Sequence, residues 1–262
     1  MSMTSSTAWI IAGRELRELW RGGRGLLLLS AFSVLLSVIT YLTATNQVLN
    51  FLEQREAVNL VLQVAIAVGA LVTLLLAADG VSGERERATL EALLVTPARR
   101  PGILFGKWLA AMSWWLLAYA VTLPYLCVLG RGVSAAWPAI YSGLLAGTIL
   151  AAALSLPALL ISCLATTNRV SLGASMLLLL ALFAPTQLPG GLPQGWFGGL
   201  LVWLNPVSAA LRFTGDVVVT GQAGNHPLGR LLPPALIAML AAVAVRAWGT
   251  AAMANEPGRT HE

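Results

Sequence analysis

Six long apolar runs constrain this chain more than any other feature. They lie at about residues 25–45, 57–78, 108–129, 139–165, 170–188 and 228–245. A bilayer core is crossed by about 20 such residues wound as a helix. No charge falls near the middle of a run, and Arg230 stands close to the start of the last. A central charge would cost about 2.5–3.5 kcal/mol on insertion. The runs are long and do not alternate, which excludes barrel strands. The expectation is an all-α membrane protein with six transmembrane helices, forming one transmembrane domain over residues 1–262. Composition agrees. The chain is 57% hydrophobic and 10% charged, against about 25% charged in a soluble domain, and a fold of this size cannot hide that much apolar surface from water. A soluble enzyme, a disordered chain and a nucleic-acid-binding domain are all excluded. The net charge of +5 is spread along the edges of the runs rather than on one patch, so the expected surroundings are membrane lipid and no nucleic acid. Cys127 and Cys163 both lie inside apolar runs, which argues against a disulfide framework and says nothing of redox compartment.

Basic residues set the orientation. Arg14, Arg17, Arg21 and Arg24 precede the first run; Arg85, Arg87, Arg99, Arg100 and Lys107 follow the second; Arg169 follows the fourth, and Arg246 and Arg259 follow the sixth. Only Arg55, Arg131, Arg212 and Arg230 fall on the opposite side. The excess puts both termini in the cytoplasm. Trp20, Trp108, Trp137 and Trp248 stand near run ends, where indole rings prefer to sit. The first run is longer than the core of a cleaved leader, and no A-x-A site follows it.

Three segments outside the runs carry pattern. Residues 8–21 place Trp9, Ala12, Gly13, Leu16, Leu19 and Trp20 on one helical face and Arg14, Arg17, Glu18 and Arg21 on the other. This reads as an interfacial amphipathic helix, or as a simple topology anchor. The loop from Asp79 to Lys107, DGVSGERERATLEALLVTPARRPGILFGK, is long for a helix–helix connection. Within it Glu84 can meet Arg87 and Arg87 can meet Glu91 at helical spacing, while Leu90, Leu93 and Leu94 gather opposite. Ser82 reads as N-cap and Pro97 as stop of a short helix, whose oily face packs on span ends or on a partner; a solvated topogenic loop is the other reading. Finally, the Gly-, Pro- and Trp-rich stretch 189–227 holds LVWLNPVSAALRF, too short to span and read as a re-entrant or interfacial helix. Asp216 and His226 lie beyond it, and His226 beside Pro227 reads as solvated.

Recognisable catalytic chemistry is missing from the pattern. Gly102-Ile-Leu-Phe-Gly106-Lys107-Trp108 has three spacers where a phosphate-binding loop has four, and Trp where Ser or Thr would bind magnesium; its glycines read as easing the turn into the third span. No zinc-protease, nucleophile-elbow or Cys/His metal spacing occurs, and no catalytic residue or metal ligand is expected. Mid-span ionisable residues, usual in ion-coupled carriers, are also missing. Asn59, Gln63 and Thr73 do form a polar stripe on the second span, facing either a partner helix or a water-filled substrate path. Gly143-x-x-x-Gly147 in the fourth span permits close helix approach.

Ser82-Gly83-Glu84-Arg85-Glu86-Arg87-Ala88-Thr89-Leu90-Glu91-Ala92-Leu93-Leu94, then Thr96-Pro97 and Gly106-Lys107, resembles the first cytoplasmic loop of type-2 ABC exporter permeases, whose pattern is S-G-E-x-E-x-G-T-L-E-x-L-L-x-x-P with a G-K opening the third span. Ala88 stands where glycine is usual. The six spans, the amphipathic first helix and the long last external loop resemble that family too, as does Leu204-Asn205-Pro206-Val207. The resemblance implies the membrane-spanning half of an ATP-driven transporter in a bacterial or archaeal cell membrane. A separate ABC ATPase subunit, holding ATP and Mg, would dock on a coupling helix carrying Ser82, Gly83, Glu84, Arg85, Glu86, Arg87, Thr89, Leu90, Glu91 and Leu94. Thr167, Asn168 and Arg169 would be a second contact. Two permease chains would pair, as a homo- or heterodimer, around a path for a hydrophobic or amphipathic substrate. The alternatives are a permease-like accessory factor in metalloenzyme or cytochrome maturation, or an ion-coupled carrier.

Overall fold

The computed structural model of the protein describes residues 3–45, 51–90, 100–187, 203–221 and 228–253. Among them the structure is helical throughout: α1 (Met3–Arg21), α2 (Arg24–Ala44), α3 (Phe51–Glu86), α4 (Arg100–Leu129), α5 (Ala136–Leu164), α6 (Asn168–Gln187), α7 (Pro206–Val218) and α8 (Leu232–Ala244). A 3-10 turn, Gly229–Leu231, precedes α8, and a π-helical turn, Val245–Gly249, prolongs it. Among the described residues five helices, not the six expected, are long and apolar enough to cross a membrane by length and composition; the apolar Asn168–Ala184 stretch of α6 falls short of that length. The chain is a multi-pass all-α membrane protein.

α3, α4 and α5 make the centre, with α3 packed most extensively on α5 and next on α4. Small residues let them approach. A Cβ at Gly69 would stand 2.6 Å from the Trp115 ring, one at Gly147 would collide with the far edge of the same ring, and one at Gly143 would collide with Leu62. Trp115 is thus a peg held between α3 and α5, its indole N–H donated to the Thr148 hydroxyl at 3.1 Å. The glycine pair singled out on the fourth span is therefore a packing device. On the flank, α2 hangs on α4: Trp114 donates to the Gly25 carbonyl at 3.3 Å, Phe32 meets its ring edge-on at 5.9 Å, and the Tyr125 hydroxyl reaches Ser33 and Ser37. The outward residues of α2, from Leu26 to Leu42, are exposed, as suits a helix bathed in lipid.

α7 confirms a short buried helix near the LVWLNPVSAALRF segment. Its 13 residues reach about 20 Å at 1.5 Å each, short of a bilayer core. Asn205 builds its start: the side-chain oxygen accepts from Val207 N–H at 2.9 Å and Ser208 N–H at 3.3 Å, and Pro206 opens the first turn. The Asn205 amide then donates to the Leu182 carbonyl of α6 at 2.6 Å, which fastens the helix to the bundle. Asp216, just beyond the segment as expected, still lies inside α7 and is paired with Arg230 at 2.5 Å. His226 and the remainder of the 189–227 stretch lie outside the described residues.

Several boundaries differ from the sequence expectation. α1 begins at Met3, not at residue 8. The second span does not stop at residue 78; α3 continues unbroken to Glu86. α4 starts at Arg100, so Gly102, Gly106 and Lys107 sit within the helix and not in a turn leading to it. The expected loop from Asp79 to Lys107 is therefore helical at both ends, because its charged residues there find partners inside the bundle and the backbone stays helical around them.

Candidate functional site

The residues of the resembling motif fall at the end of the bundle where α3 ends, α4 begins and α5 hands over to α6. Ser82 is not an N-cap. It is fully buried in α3, its hydroxyl bonded back to the Ala78 carbonyl at 2.8 Å, a use open to serine only inside a helix. Its neighbours are α5 and α6: the Ser162 hydroxyl accepts from the Val81 and Ser82 N–H groups at 3.1 and 2.9 Å, and the Ser82 hydroxyl lies 3.0 Å from Asn168 Oδ1.

Nor does Glu84 pair with Arg87. Glu84 takes Lys107 of α4 at 2.7 Å, while Arg87 takes Asp79 at 3.1 Å. Glu91, Leu93, Leu94 and Pro97 lie outside the described residues. The preference has a physical reason. Lys107 is buried in α4, its side chain only 3% exposed, and a buried ammonium must be paired. A second carboxylate, Glu15 of α1, reaches it at 3.2 Å. One cation thus ties α1, α3 and α4 together. Burial, opposed by the Lys107 charge and reinforced by that of Glu84, holds the Glu15 carboxyl above its ordinary range. A polar cavity of about 410 Å³ opens beside this triad, with Glu18, Arg24 and Asp79 also on its wall.

Asp79 is the second hub. It accepts from Arg24 of α2 at 3.4 Å and Arg87 at 3.1 Å, and its other oxygen accepts from the Asn168 amide at 2.8 Å. Gly83, one turn on, leaves room for that carboxylate, since a Cβ there would overlap Oδ1. Arg85 points the other way. Its guanidinium donates to the carbonyls of Ala165 and, at 3.3 Å, Cys163. These are orphan carbonyls at the end of α5, where a cation also complements the helix dipole. Thr167 caps α6, its hydroxyl accepting from Val170 N–H at 3.4 Å. The two segments expected to act together, 82–90 and 167–169, are hence one assembly.

Within it the side chains divide. Ser82, Gly83 and Leu90 are buried, and Glu84 and Arg85 are half-buried. Glu86, Arg87, Thr89, Thr167 and Arg169 are exposed. Helix α3 ends in a turn whose residue Ala88 has a φ of 56°. That left-handed conformation suits glycine and strains alanine. We expect Ala88→Gly to raise stability by about 1 kcal/mol, read as an upward shift in the thermal unfolding midpoint of the detergent-solubilised protein; an unchanged or lowered midpoint would count against the strained turn.

The stripe on α3 runs elsewhere. Gln63 donates to the Leu211 carbonyl of α7 at 3.4 Å. The Asn59 amide faces Gly215 of the same helix. Thr73 is fully buried and bonds the Gly69 carbonyl of its own helix at 2.8 Å. Two of the three therefore address α7. Sequence reasoning missed Glu15 and Lys107 as partners: a charge inside an apolar helix start was the available signal, read there as part of a loop.

The family model described as ABC-2 family transporter protein matches residues 9–254, nearly the whole of the chain. No curated protein matches it.

Proposed function

Starting from the premise that the chain belongs to the ABC-2 family of transporter proteins and is a membrane permease subunit of an ABC transporter, we propose that it is an exporter half whose exposed residues Glu86, Arg87, Thr89, Thr167 and Arg169 meet the ATPase subunit. The ATPase holds ATP and Mg, and the permease chain contributes no catalytic residue. Both termini lie in the cytoplasm, two permease chains pair, and the cargo is hydrophobic or amphipathic, moving outward past uncharged spans.

The observation that carries this reading is the division within the assembly. Ser82, Gly83, Glu84 and Arg85 face other helices and fix the shape, whereas Glu86 and Arg169 are exposed on the same end. A rigid body with a charged outer face can receive a push and pass it to α3, α4 and α6. Of the Asn59, Gln63 and Thr73 stripe, Asn59 and Gln63 are proposed to border the substrate path through α3 and α7, whereas Thr73 is spent inside its own helix.

The test is co-purification of the chain with its ATPase, together with ATP-driven transport in proteoliposomes. Glu86→Lys reverses an exposed charge without touching the buried pairs. It is expected to weaken ATPase association several-fold, as for a rim charge, while insertion and thermal stability stay within about 0.5 kcal/mol of wild type. Full association and full transport in this variant would overturn the assignment.

A further inference from the structure

We propose that a second groove, between α4, α5 and the end of the last helix, is a binding site for an anionic phospholipid, with an acyl chain in the groove and the phosphate on Arg246. The groove encloses about 440 Å³, within the range of small-ligand pockets, about 300–1,000 Å³. Its walls are the first turns of α4 (Leu104, Phe105, Trp108), the second half of α5 (Leu156, Leu159) and the end of the last helix (Ala242 to Arg246).

Position within the bilayer decides what fills it. All three walls belong to transmembrane helices, and Phe105 and Ala242 open its side to whatever surrounds the bundle. An open apolar groove at that depth faces lipid chains. The height is set by aromatic and basic residues at one end: Trp248 is 66% exposed, and exposed tryptophans mark the headgroup level. Arg246 is exposed, lines the mouth, and has no ion pair among the described residues. Among the described residues the one formal charge on the groove is thus positive and lies where headgroups lie, and basic pockets between transmembrane helices are suited to acidic headgroups.

Local backbone supports a built site. Val245–Gly249, which carries Arg246, winds as a π-helix; such single turns cluster at functional positions. The turn is held against the bundle because Gly249 has no side chain: a Cβ there would be 3.2 Å from Leu104 and 3.5 Å from the Cys163 sulfur. Trp108 has its indole N–H satisfied by the Ser155 hydroxyl at 3.1 Å, so its ring offers the groove an apolar face and no unpaired donor.

The experiment is native mass spectrometry of the full chain released from nanodiscs of equal phosphatidylglycerol and phosphatidylcholine with matched chains. Wild type is expected to retain phosphatidylglycerol about fivefold over phosphatidylcholine, as one guanidinium's attraction gives. Arg246→Gln should bring the ratio to one, and Arg246→Lys should keep a preference. Ala242→Phe, which fills the groove from its exposed side, should remove both lipids. Equal retention in wild type would overturn the proposal, as would an unchanged preference in Arg246→Gln or undiminished binding in Ala242→Phe. Since Arg246→Lys must keep the preference, a general loss of fold is told apart from loss of the headgroup contact.

Discussion

Lys107→Ala is expected to destabilise the protein by about 3–5 kcal/mol, the usual result of leaving buried charges without their partner. The lysine side chain is 3% exposed and its two carboxylate partners, Glu15 and Glu84, are about 15% exposed. Removing the cation leaves two acids facing each other in a poorly solvated place, and one must take up a proton or the helices must part. Because the three groups sit on α1, α4 and α3, the first element to detach should be α1, whose hold on the bundle is chiefly through α4. The measurement is thermal or denaturant unfolding in detergent, with limited proteolysis to locate the loosened helix. A triple replacement, Glu15→Gln, Glu84→Gln and Lys107→Met, should recover much of the loss, since an uncharged set avoids the desolvation penalty. If Lys107→Ala shifts stability by under about 1 kcal/mol, the value of an exposed pair, the triad is not a buried tie.

Gly147→Ala has the next largest expected effect. One methyl placed against the Trp115 ring must push α5 away from α3, since Gly69 closes the ring's other side. Overpacking of this sort costs about 1–3 kcal/mol. Trp115→Phe removes the part of the ring that the methyl meets. The combination Gly147→Ala with Trp115→Phe should therefore be more stable than the two single effects add up to, by about 0.5–3 kcal/mol of coupling. Additive behaviour in that cycle would show that ring and glycine do not oppose one another.

The spans were legible because the energetic demand of a bilayer is coarse. Twenty apolar residues without a charge announce themselves, and a short segment such as Pro206–Val218 is visible by failing the same test. The Asn-Pro pair that starts α7 combines a favoured cap with a favoured first residue, a signal the sequence reading left unused. The motif around Ser82–Thr89 was legible as a string but not as a shape. Helical spacing offered Glu84 an intrahelical partner, Arg87, worth about 0.2–0.5 kcal/mol. Tertiary burial offered it Lys107, whose charge among the described residues pairs with Glu84 and Glu15, and the stronger demand prevailed. The same holds for Arg85, drawn to the carbonyls ending α5. Contacts across 20 to 90 residues of chain leave no mark on local periodicity. Ala88 is the reverse case: a departure from the glycine that the resemblance implies was readable in the string, and the positive φ shows why glycine would suit the position.

Asn168 uses both halves of its amide, the oxygen toward Ser82 and the nitrogen toward Asp79. That double bond of contacts works as a latch between two stretches of chain that lie more than 80 residues apart in order. Neither stretch can be displaced alone without unhooking it. Anything that seizes one of them therefore moves the other as well, and a small motion at the bundle's end reaches α3 and α6 together.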